Sequence, residues 1–434
     1  MNSLWLNENK LPQFPTLHGE IKTDVLIIGG GLCGILCANE LKKLGVDYTL
    51  VEADRICRKT SGNTTAKITS QHGLVYNCIT KKYGTETAEK YYRINERAIE
   101  EYARLCRDID CSFEQKDNFI YSLSDERKLD DEMRTLEKIK AKARLVPSLS
   151  ALPFDVLGAV KFENQAQFDP IAFVSAITPK MNIYENSRVL GFDGRCYYGK
   201  DFRIKADKVI VATHFPILNK HGFFSIKLYQ NRSYVIALKN ATDFDGMYLD
   251  ENEKGLSFRN QGEYLLLGGG SHRTGKQGGN WNELRKRARR LFPEREEVFH
   301  WAAQDCMSLD SLPYIGQYSK NTPDLFVATG FNKWGMSLSM VSAIILKDLI
   351  FGKQSDYADI FSPSRSILHP QLFANTFETT VNMLTPTTPR CPHLGCALKW
   401  NKDEHSWDCP CHGSRLDKSG KVIEGPANGD LRAR

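Results

Sequence analysis

The sequence contains no apolar run that is long enough to cross a membrane. Residues 341–346 form one of its longest apolar runs, whereas a membrane-spanning helix needs about 20 apolar residues. Residues 1–6 lack the basic and apolar regions of a secretory signal peptide. The net charge of +6 is spread along the chain and gives no reason to expect a nucleic-acid partner. We therefore expect a cytoplasmic protein with no transmembrane segment.

Disulfide spacing is also absent from most of the sequence. The chain has 12 cysteines, and all except Cys391, Cys396, Cys409 and Cys411 are scattered without a regular spacing. Scattered cysteines are typical of reduced thiols in a cytosolic enzyme. The composition is ordinary for a globular protein, and a length of 434 residues allows two or three domains.

Two short loops near the C-terminus each contain a cysteine and a histidine. They supply Cys391 with His393, and Cys409 with His412. A zinc finger normally has both cysteines first and both histidines last. One cysteine and one histidine in each loop suit a cluster in which thiolates hold one iron and imidazoles hold the other. Zinc remains the alternative for this set of ligands.

Residues 389–426 resemble the Rieske iron–sulfur proteins. The resemblance implies a [2Fe-2S] cluster held by Cys391, His393, Cys409 and His412, and a disulfide between Cys396 and Cys411 that joins the two loops. It also implies that the hydroxyl of Ser414 donates to a cluster sulfide. High-potential members have a tyrosine where this sequence has Leu416, so we expect a reduction potential below the top of the Rieske range.

A dinucleotide-binding pattern lies near the N-terminus. Residues 24–28 predict a buried strand, residues 29–34 read Gly-Gly-Gly-Leu-Cys-Gly, and a helix and a second strand follow before Glu52. In this pattern Gly29 makes the tight turn, Gly31 lets the backbone approach a pyrophosphate, and Gly34 permits close packing of the helix. Glu52 is positioned to hold a ribose hydroxyl and disfavours a 2′-phosphate, which indicates FAD or NAD. A purely structural glycine turn is the alternative.

The polar residues 60–73 resemble the corresponding loop of the D-amino-acid-oxidase-like flavin oxidoreductases, and in particular a bacterial subfamily with a C-terminal Rieske domain. The resemblance favours FAD. It implies that this loop, beginning at Thr60, follows the FAD pyrophosphate and reaches the isoalloxazine ring. The family usually has small residues where this sequence has Arg58 and Lys59. The resemblance adds five more cofactor-binding residues: Ala212, Thr213, Gly330, Gly335 and Met336.

Three side chains are candidates for catalysis. His72 lies near the end of the flavin loop, and a hydrogen-bonded structural histidine is the alternative. Arg232, like the turn at residues 271–274, could bind a substrate carboxylate through a bidentate guanidinium, with a structural ion pair as the alternative. Lys333 precedes the helix whose N-terminus is expected to face the flavin pyrimidine, where it would add positive charge.

We expect an α/β protein with a Rossmann-type FAD-binding domain, an antiparallel-sheet substrate domain of the D-amino-acid-oxidase-like type, and a small all-β Rieske domain. The oxidoreductase would span residues 1–375, with FAD-binding segments at about 20–84, 155–215 and 300–360 and substrate segments at about 85–154 and 216–299. The Rieske domain would span 376–434. Residues 361–390 are rich in proline and predict a linker with a few strand residues, so this domain is expected to be shortened.

The combined patterns predict an FAD-dependent oxidoreductase that takes a hydride from a small amine or amino-acid-like substrate. Its electrons would pass to the Rieske cluster and then to an acceptor that the sequence does not identify. The alternative is an electron-transfer or redox-sensing module that has no organic substrate of its own. Rieske oxygenase chemistry is disfavoured because the sequence has no additional triad of ligands for a mononuclear iron.

Overall fold

A computed structural model describes residues 3–218, 221–240, 243–386 and 389–431. Parts of the expected ranges 1–375 and 376–434 therefore lie outside the described residues. The described chain forms two large sheets and one small C-terminal sheet.

The strands are numbered along the chain. Those before residue 200 are β1 (Gly19–Ile28), β2 (Tyr48–Val51), β3 (Lys67–Ile68), β4 (Glu114–Ser122), β5 (Ala143–Val146), β6 (Gly158–Gln167), β7 (Ile183–Tyr184), β8 (Gly191–Asp193) and β9 (Cys196–Tyr198). Those after it are β10 (Phe202–Val211), β11 (Tyr229–Lys239), β12 (Met247–Asp250), β13 (Ser257–Gln261), β14 (Tyr264–Arg273), β15 (Glu296–Met307), β16 (Tyr314–Gln317), β17 (Leu325–Thr329), β18 (Lys399–Asn401), β19 (Ser406–Asp408), β20 (Arg415–Leu416) and β21 (Val422–Glu424).

The helices are numbered in the same way. They are α1 (Leu4–Glu8), α2 (Leu32–Lys43), α3 (Val75–Tyr83), α4 (Thr85–Cys106), α5 (Glu126–Lys138), α6 (Pro170–Ile177), α7 (Phe224–Lys227), α8 (Trp281–Leu291), α9 (Gly335–Ile350), α10 (Ala358–Phe361) and α11 (Pro370–Leu384). A 3₁₀ turn covers Thr60–Asn63. Within the described ranges, no helix combines the length and the apolar character that crossing a membrane requires.

The first sheet has the parallel core that the βαβ pattern predicts. Its strands lie in the order β16-β17-β10-β1-β2-β7, and β9 and β8 extend it beside β10. The pairs β1–β10, β1–β2, β2–β7 and β10–β17 are all parallel. Because α2 and α9 are largely apolar and buried, they pack together on this sheet.

The second sheet has nine strands in the order β15-β11-β14-β13-β12-β4-β6-β3, with β5 paired to β6. Its pairs are antiparallel except for β12–β4. The expected combination of a Rossmann-type sheet with an antiparallel substrate sheet is confirmed.

The third sheet confirms the small all-β domain, with the order β18-β19-β20-β21. All four strands follow Cys391, and the shortening of this domain stays a prediction. The linker expected at residues 361–390 is wrong in part, because residues 370–384 form α11, which His369 caps and Pro370 begins. This helix buries Asn375 and Asn382 and exposes Phe373 and Phe377 by 69% and 70%. Most of its apolar residues face away from the protein, so they do not indicate a helix that packs on the core.

Candidate active site and cluster loops

A cavity of about 1010 Å³ lies among all three sheets. Loops at the carboxyl ends of the parallel strands form one end of its wall, and strands of the second sheet form the other. Residues 421–425 and 428–430 of the C-terminal domain also line it. Ligands of open parallel sheets bind at the carboxyl ends of the strands, so this cavity is the candidate active site.

The glycine turn after β1 leaves room for a pyrophosphate. A Cβ atom at Gly29, where φ is +114°, would lie 2.5 Å from the carbonyl oxygen of Ala212. A Cβ atom at Gly34 would lie 2.0 Å from the carbonyl oxygen of Gly29. By contrast, a Cβ atom at Gly31 would meet only the hydroxyl of Ser61, at 3.3 Å. Gly29 and Gly34 are therefore required by packing, whereas Gly31 leaves open space in the cavity wall.

Glu52 lies beside this turn in a position that fits a ribose. Its carboxylate accepts hydrogen bonds from the backbone N–H of Gly30 at 2.7 Å and of Asp54 at 2.9 Å. Burial raises the pKa of Glu52, and these two hydrogen bonds oppose that rise. Each carboxylate oxygen retains a lone pair that can accept from a ribose hydroxyl.

All of the residues expected to bind the cofactor line the cavity except Gly34, which packs behind the turn. They are Gly29, Gly31, Glu52, Thr60, Ala212, Thr213, Gly330, Gly335 and Met336. Thr60 donates to the carbonyl oxygen of Gln304 at 2.8 Å, and α9 begins at Gly335 with its N-terminus at the cavity. The residues present therefore fit a dinucleotide.

His72 lines the cavity, but each of its ring nitrogens has a partner in the protein. Nδ1 lies 2.6 Å from the hydroxyl of Tyr91, and Nε2 lies 2.8 Å from the carbonyl oxygen of Thr69 and 2.9 Å from the hydroxyl of Ser337. The ring stacks on Trp334. Burial lowers the pKa of His72 to about 3, so the ring is neutral. This environment matches the structural alternative for His72.

Arg232 is paired with the C-terminal domain and is not part of the cavity wall. Its Nε donates to Glu404 at 2.8 Å, and its Nη1 lies 3.5 Å from Glu424. The structural ion pair is therefore the role that fits Arg232, and its expected contact with a substrate carboxylate is not supported. Arg273, which the sequence placed in a turn at residues 271–274, is the last residue of β14 and donates to the carbonyl oxygens of Pro410 at 3.0 Å and Cys411 at 3.2 Å.

Lys333 does line the cavity, as expected. Its ammonium donates to the hydroxyl of Ser271 at 2.5 Å and lies 3.3 Å from Glu253. The backbone of Lys333 is in the left-handed region, with φ of +73°. This turn brings the side chain back towards the second sheet, where part of its charge is neutralised by Glu253.

The two cysteine–histidine loops lie side by side. In the first loop the N–H of Gly395 donates to the carbonyl oxygen of Cys391, and in the second the N–H of Gly413 donates to that of Cys409, each at 2.9 Å. The rings of His393 and His412 are 5.0 Å apart and nearly perpendicular. The four expected ligand residues are thus brought together at one end of the small sheet.

Cys396 and Cys411, which the family resemblance implies are joined by a disulfide, are free thiols in the structure. Their sulfur atoms and that of Cys409 nevertheless lie within 4.8 Å of one another. The arrangement leaves the bridge geometrically accessible, and it remains a prediction.

The donor set fits a metal cluster. Nδ1 of His412 is buried and has no hydrogen-bond partner among the described residues. Burial lowers the pKa of His412 to about 4, so the ring is neutral, as a metal ligand must be. The neighbouring Cys409 and burial raise the pKa of Cys391. Two adjacent thiolates are therefore unfavourable in this pocket without a cation to neutralise them.

Sequence reasoning missed the residues that join the cluster loops to the larger domain. Phe215 packs its ring 6.0 Å from that of His393 and 5.9 Å from that of His412. Gln230 donates to the carbonyl oxygen of His412 at 3.2 Å, and Gln304 to that of Gly413 at 2.9 Å. These are single residues without a motif, so no pattern in the sequence marks them.

Asp305 was also missed, although it lies in the cavity wall on β15. Burial raises its pKa, and Lys333 and His214 oppose that rise. The available signal was an acidic residue near the end of a strand that is mainly apolar over residues 301–307.

Comparison with known proteins supports both the flavin cavity and the cluster loops. Residues 24–349 match the model of the FAD-dependent oxidoreductase family, and residues 377–433 match that of the Rieske [2Fe-2S] domain. The chain is 32% identical over 486 aligned residues to the Rieske 2Fe-2S iron-sulfur protein YhfW of Bacillus subtilis, and the alignment covers 98% of this chain and 95% of that protein.

Two solved structures share the fold of the larger domain. Glycine oxidase from Geobacillus kaustophilus has a TM-score of 0.65 and 20% identity, over 81% of this chain and 100% of that one. L-amino acid deaminase from Proteus vulgaris has a TM-score of 0.65 and 17% identity, over 82% of this chain and 100% of that one. The family matches confirm FAD and a Rieske cluster as the cofactors, in preference to NAD and zinc. The chain therefore belongs to the FAD-dependent oxidoreductase family and carries a C-terminal Rieske [2Fe-2S] domain.

Proposed function

We propose that the protein oxidises the carbon–nitrogen bond of a small amine or amino-acid-like substrate and passes the electrons to its Rieske cluster. When bound, FAD supplies the two-electron acceptor: a C–H bond of the substrate breaks, its electron pair leaves as hydride, and a C=N bond forms as the nitrogen loses a proton. Glycine oxidase and L-amino acid deaminase, which share the fold, are both named for amino-acid substrates. A one-electron acceptor would then reoxidise the cluster.

The observation that carries the proposal is the shared cavity. Residues 421–425 and 428–430 of the Rieske domain line the same cavity as Gly31 and Thr60 of the larger domain. An iron–sulfur domain that only stabilised the fold would not need to reach the flavin cavity. Its position there supports direct electron transfer between the two cofactors.

Two short chains of contacts connect the cofactor loops. In the first, Thr60 donates to the carbonyl oxygen of Gln304 at 2.8 Å, and the side chain of Gln304 donates to Gly413 at 2.9 Å. In the second, His214 lies 3.1 Å from Gln230, whose amide donates to His412 at 3.2 Å. Both chains support a short separation between the flavin cavity and the cluster.

Other residues of the cavity wall favour reduction of the cofactor. The N-terminus of α9 faces the cavity, and the partial positive charge of a helix N-terminus stabilises negative charge that develops on a reduced ring. Neutral His72 holds Ser337, in the first turn of α9, at 2.9 Å. Tyr102 donates to the carbonyl oxygen of Met336 at 2.9 Å. These contacts fix the position of the helix terminus.

Anaerobic stopped-flow spectroscopy with a panel of amines and amino acids tests the proposal. A substrate should bleach the flavin absorbance, and the electron-spin-resonance signal of a histidine-ligated [2Fe-2S] cluster should then appear at a rate that does not depend on protein concentration. The matched variant is Cys409→Ser, which should lose the cluster but keep FAD. It should still be bleached by substrate without giving the cluster signal.

Absence of bleaching across the panel, in protein whose flavin is reduced by dithionite, would contradict the proposal. That result would favour the alternative, a module that only exchanges or senses electrons. A cluster signal whose rate rises with protein concentration would contradict direct transfer within one chain.

A further inference from the structure

Two arginines were expected to bind a substrate carboxylate, and both contact the Rieske domain instead. Arg232 is paired with Glu404 and Glu424, and Arg273 donates to two carbonyl oxygens of the second cluster loop. Neither is part of the cavity wall, to which Arg55, Arg58 and Arg188 do contribute. A buried carboxylate needs a charged partner such as arginine, so an amino acid would have to find its partner elsewhere in the cavity.

The arginines of the cavity wall lie at its ribose end. Arg55 pairs with Glu185 at 3.0 Å, and the backbone N–H of Ser187, the neighbour of Arg188, donates to the carbonyl oxygen of Glu52. Arg58 precedes the Thr60 loop. A dinucleotide that fills this end separates these three cations from a substrate at the other end.

The opposite end of the cavity is acidic. The residues with charged side chains outside the ribose end are Lys67, Asp250, Glu251, Glu253, Asp305, Lys333, Lys421, Glu424 and Asp430, which are six acids and three lysines. Burial lowers the pKa of Lys67 to about 7, which reduces its positive charge. Lys333 is already paired with Glu253, and Glu424 lies 3.5 Å from both Arg232 and Arg415. The charge at this end therefore disfavours a substrate carboxylate.

Asp305 is the acidic residue that remains available to a ligand. Its carboxylate makes no hydrogen bond or ion pair with any residue in the described part of the chain, although it lines the cavity. The charged and titratable groups that face it are Lys333, His214, Glu424 and Arg232. Asp305 and Met307 lie two positions apart on β15 and both line the cavity, beside Tyr229, which pairs with Met307 across the sheet. A carboxylate next to a thioether and an aromatic ring suits an ammonium with an alkyl chain.

We infer that the substrate is a cationic amine without an α-carboxylate, and that Asp305 binds its ammonium group. The inference rests on the proposed function and narrows its substrate class. Charge pairing with Asp305 provides affinity, and the acidic wall opposes any carboxylate on the α-carbon.

Matched pairs of compounds that differ only by the α-carboxylate test the inference: cadaverine with lysine, agmatine with arginine, and methylamine with glycine. The second-order rate constant for anaerobic flavin reduction should be at least about tenfold higher for the amine in the pair that the cavity accepts. Equal or faster reduction by the amino acid would overturn the inference and leave the proposed function intact. If no compound of either kind reduces the flavin, both fail.

The role of Asp305 is tested with Asp305→Asn, which removes the charge and keeps the shape. The substrate concentration for half-maximal flavin reduction should rise at least about tenfold, with a smaller change in the limiting rate, because a binding interaction is lost. Asp305→Glu should restore part of the affinity. The control is Asp108→Asn on the exposed surface, which should behave as wild type. An unchanged concentration dependence in Asp305→Asn would exclude Asp305 as the amine-binding residue.

Discussion

The two ends of the cavity differ in charge and in how the chain builds them. The ribose end has Arg55, Arg58 and Lys59 and is formed mainly by the loops at residues 29–33 and 51–65, whereas the opposite end has Asp305, Glu424 and Asp430 from two domains. A local motif can specify the first end because its contacts are close in sequence. The second end exists only after the Rieske domain docks on the second sheet.

The largest effect, a loss of FAD binding, is expected from a substitution in the glycine turn at the ribose end of the cavity. Gly31→Val should abolish FAD binding, or weaken it by about 100-fold or more, because a branched side chain would fill the space that a pyrophosphate needs. The fold should persist, since the added Cβ atom would meet only the hydroxyl of Ser61, at 3.3 Å. Flavin and iron per chain, measured after purification, should show loss of FAD with retention of the cluster.

The matched control is Gly45. It lies just beyond the C-terminus of α2, whereas Gly31 lies at the N-terminus of that helix. Gly45 follows α2 with φ of +68° and has no atom within 4 Å of an added Cβ. Asparagine tolerates this conformation, so Gly45→Asn should retain FAD. A Gly31→Val protein with normal FAD content would refute the assignment of the pyrophosphate site.

The local parts of both sites could be predicted from the sequence. The unbroken apolar run of β1, the glycine turn and the acid at Glu52 are consecutive features of one βαβ unit. The ligand spacing of Cys391 with His393, and of Cys409 with His412, likewise lies within two short loops. In each case the chemistry depends on residues that are close together in the chain. The sequence pattern therefore predicts most of the local geometry of the site.

The contacts between domains could not be predicted in this way. Arg232 and Glu404 are 172 positions apart, and nothing near either residue indicates the other. Helix α11 was missed because its buried residues are Asn375 and Asn382 while Phe377 is exposed. Apolar periodicity indicates a helix only when the apolar side faces the protein.

Breaking the ion pair of Arg232 should have the next largest effect, because it leaves Glu404 buried without one of its partners. Arg232→Gln should destabilise the docked Rieske domain by about 3–5 kcal/mol. Urea unfolding monitored by the visible absorbance of the cluster measures this change. The control is Arg285→Gln, whose partner Glu297 is more exposed and whose loss should cost about 1 kcal/mol or less. Equal loss of stability in the two variants would show that the pair of Arg232 and Glu404 is not the main contact that holds the Rieske domain.

The stability that the contact between Arg232 and Glu404 provides should depend on pH. Burial alone would raise the pKa of Glu404, but Arg232 and Arg415 outweigh it and hold this pKa at about 2, below its ordinary value of 4.5. A lowered pKa stabilises the fold fully above about pH 4.5, and this contribution is lost as the pH falls towards 2. The loss should be on the order of 3 kcal/mol.

Urea unfolding of wild type and Glu404→Gln at a series of pH values below 5 isolates this contribution. The stability difference between the two proteins should shrink as the pH falls, because the wild-type carboxylate becomes protonated. A difference that stays constant down to pH 2 would show that Glu404 does not carry the acid sensitivity of the interface.

The smallest effect is expected at Lys333, which lies at the acidic end of the cavity. Its ammonium lies near the start of α9 but is partly neutralised by Glu253 at 3.3 Å, so only a fraction of its charge acts on the flavin. Lys333→Glu should lower the flavin reduction potential by an amount equivalent to about 1 kcal/mol, because a negative charge near the ring disfavours added electrons. Lys333→Gln should give a smaller decrease. Lys347→Gln, near the other end of the same helix, should leave the potential unchanged. Equilibration with reference dyes under anaerobic conditions measures the three potentials. An unchanged or higher potential in Lys333→Glu would mean that the N-terminus of α9 stabilises the reduced flavin without help from this side chain.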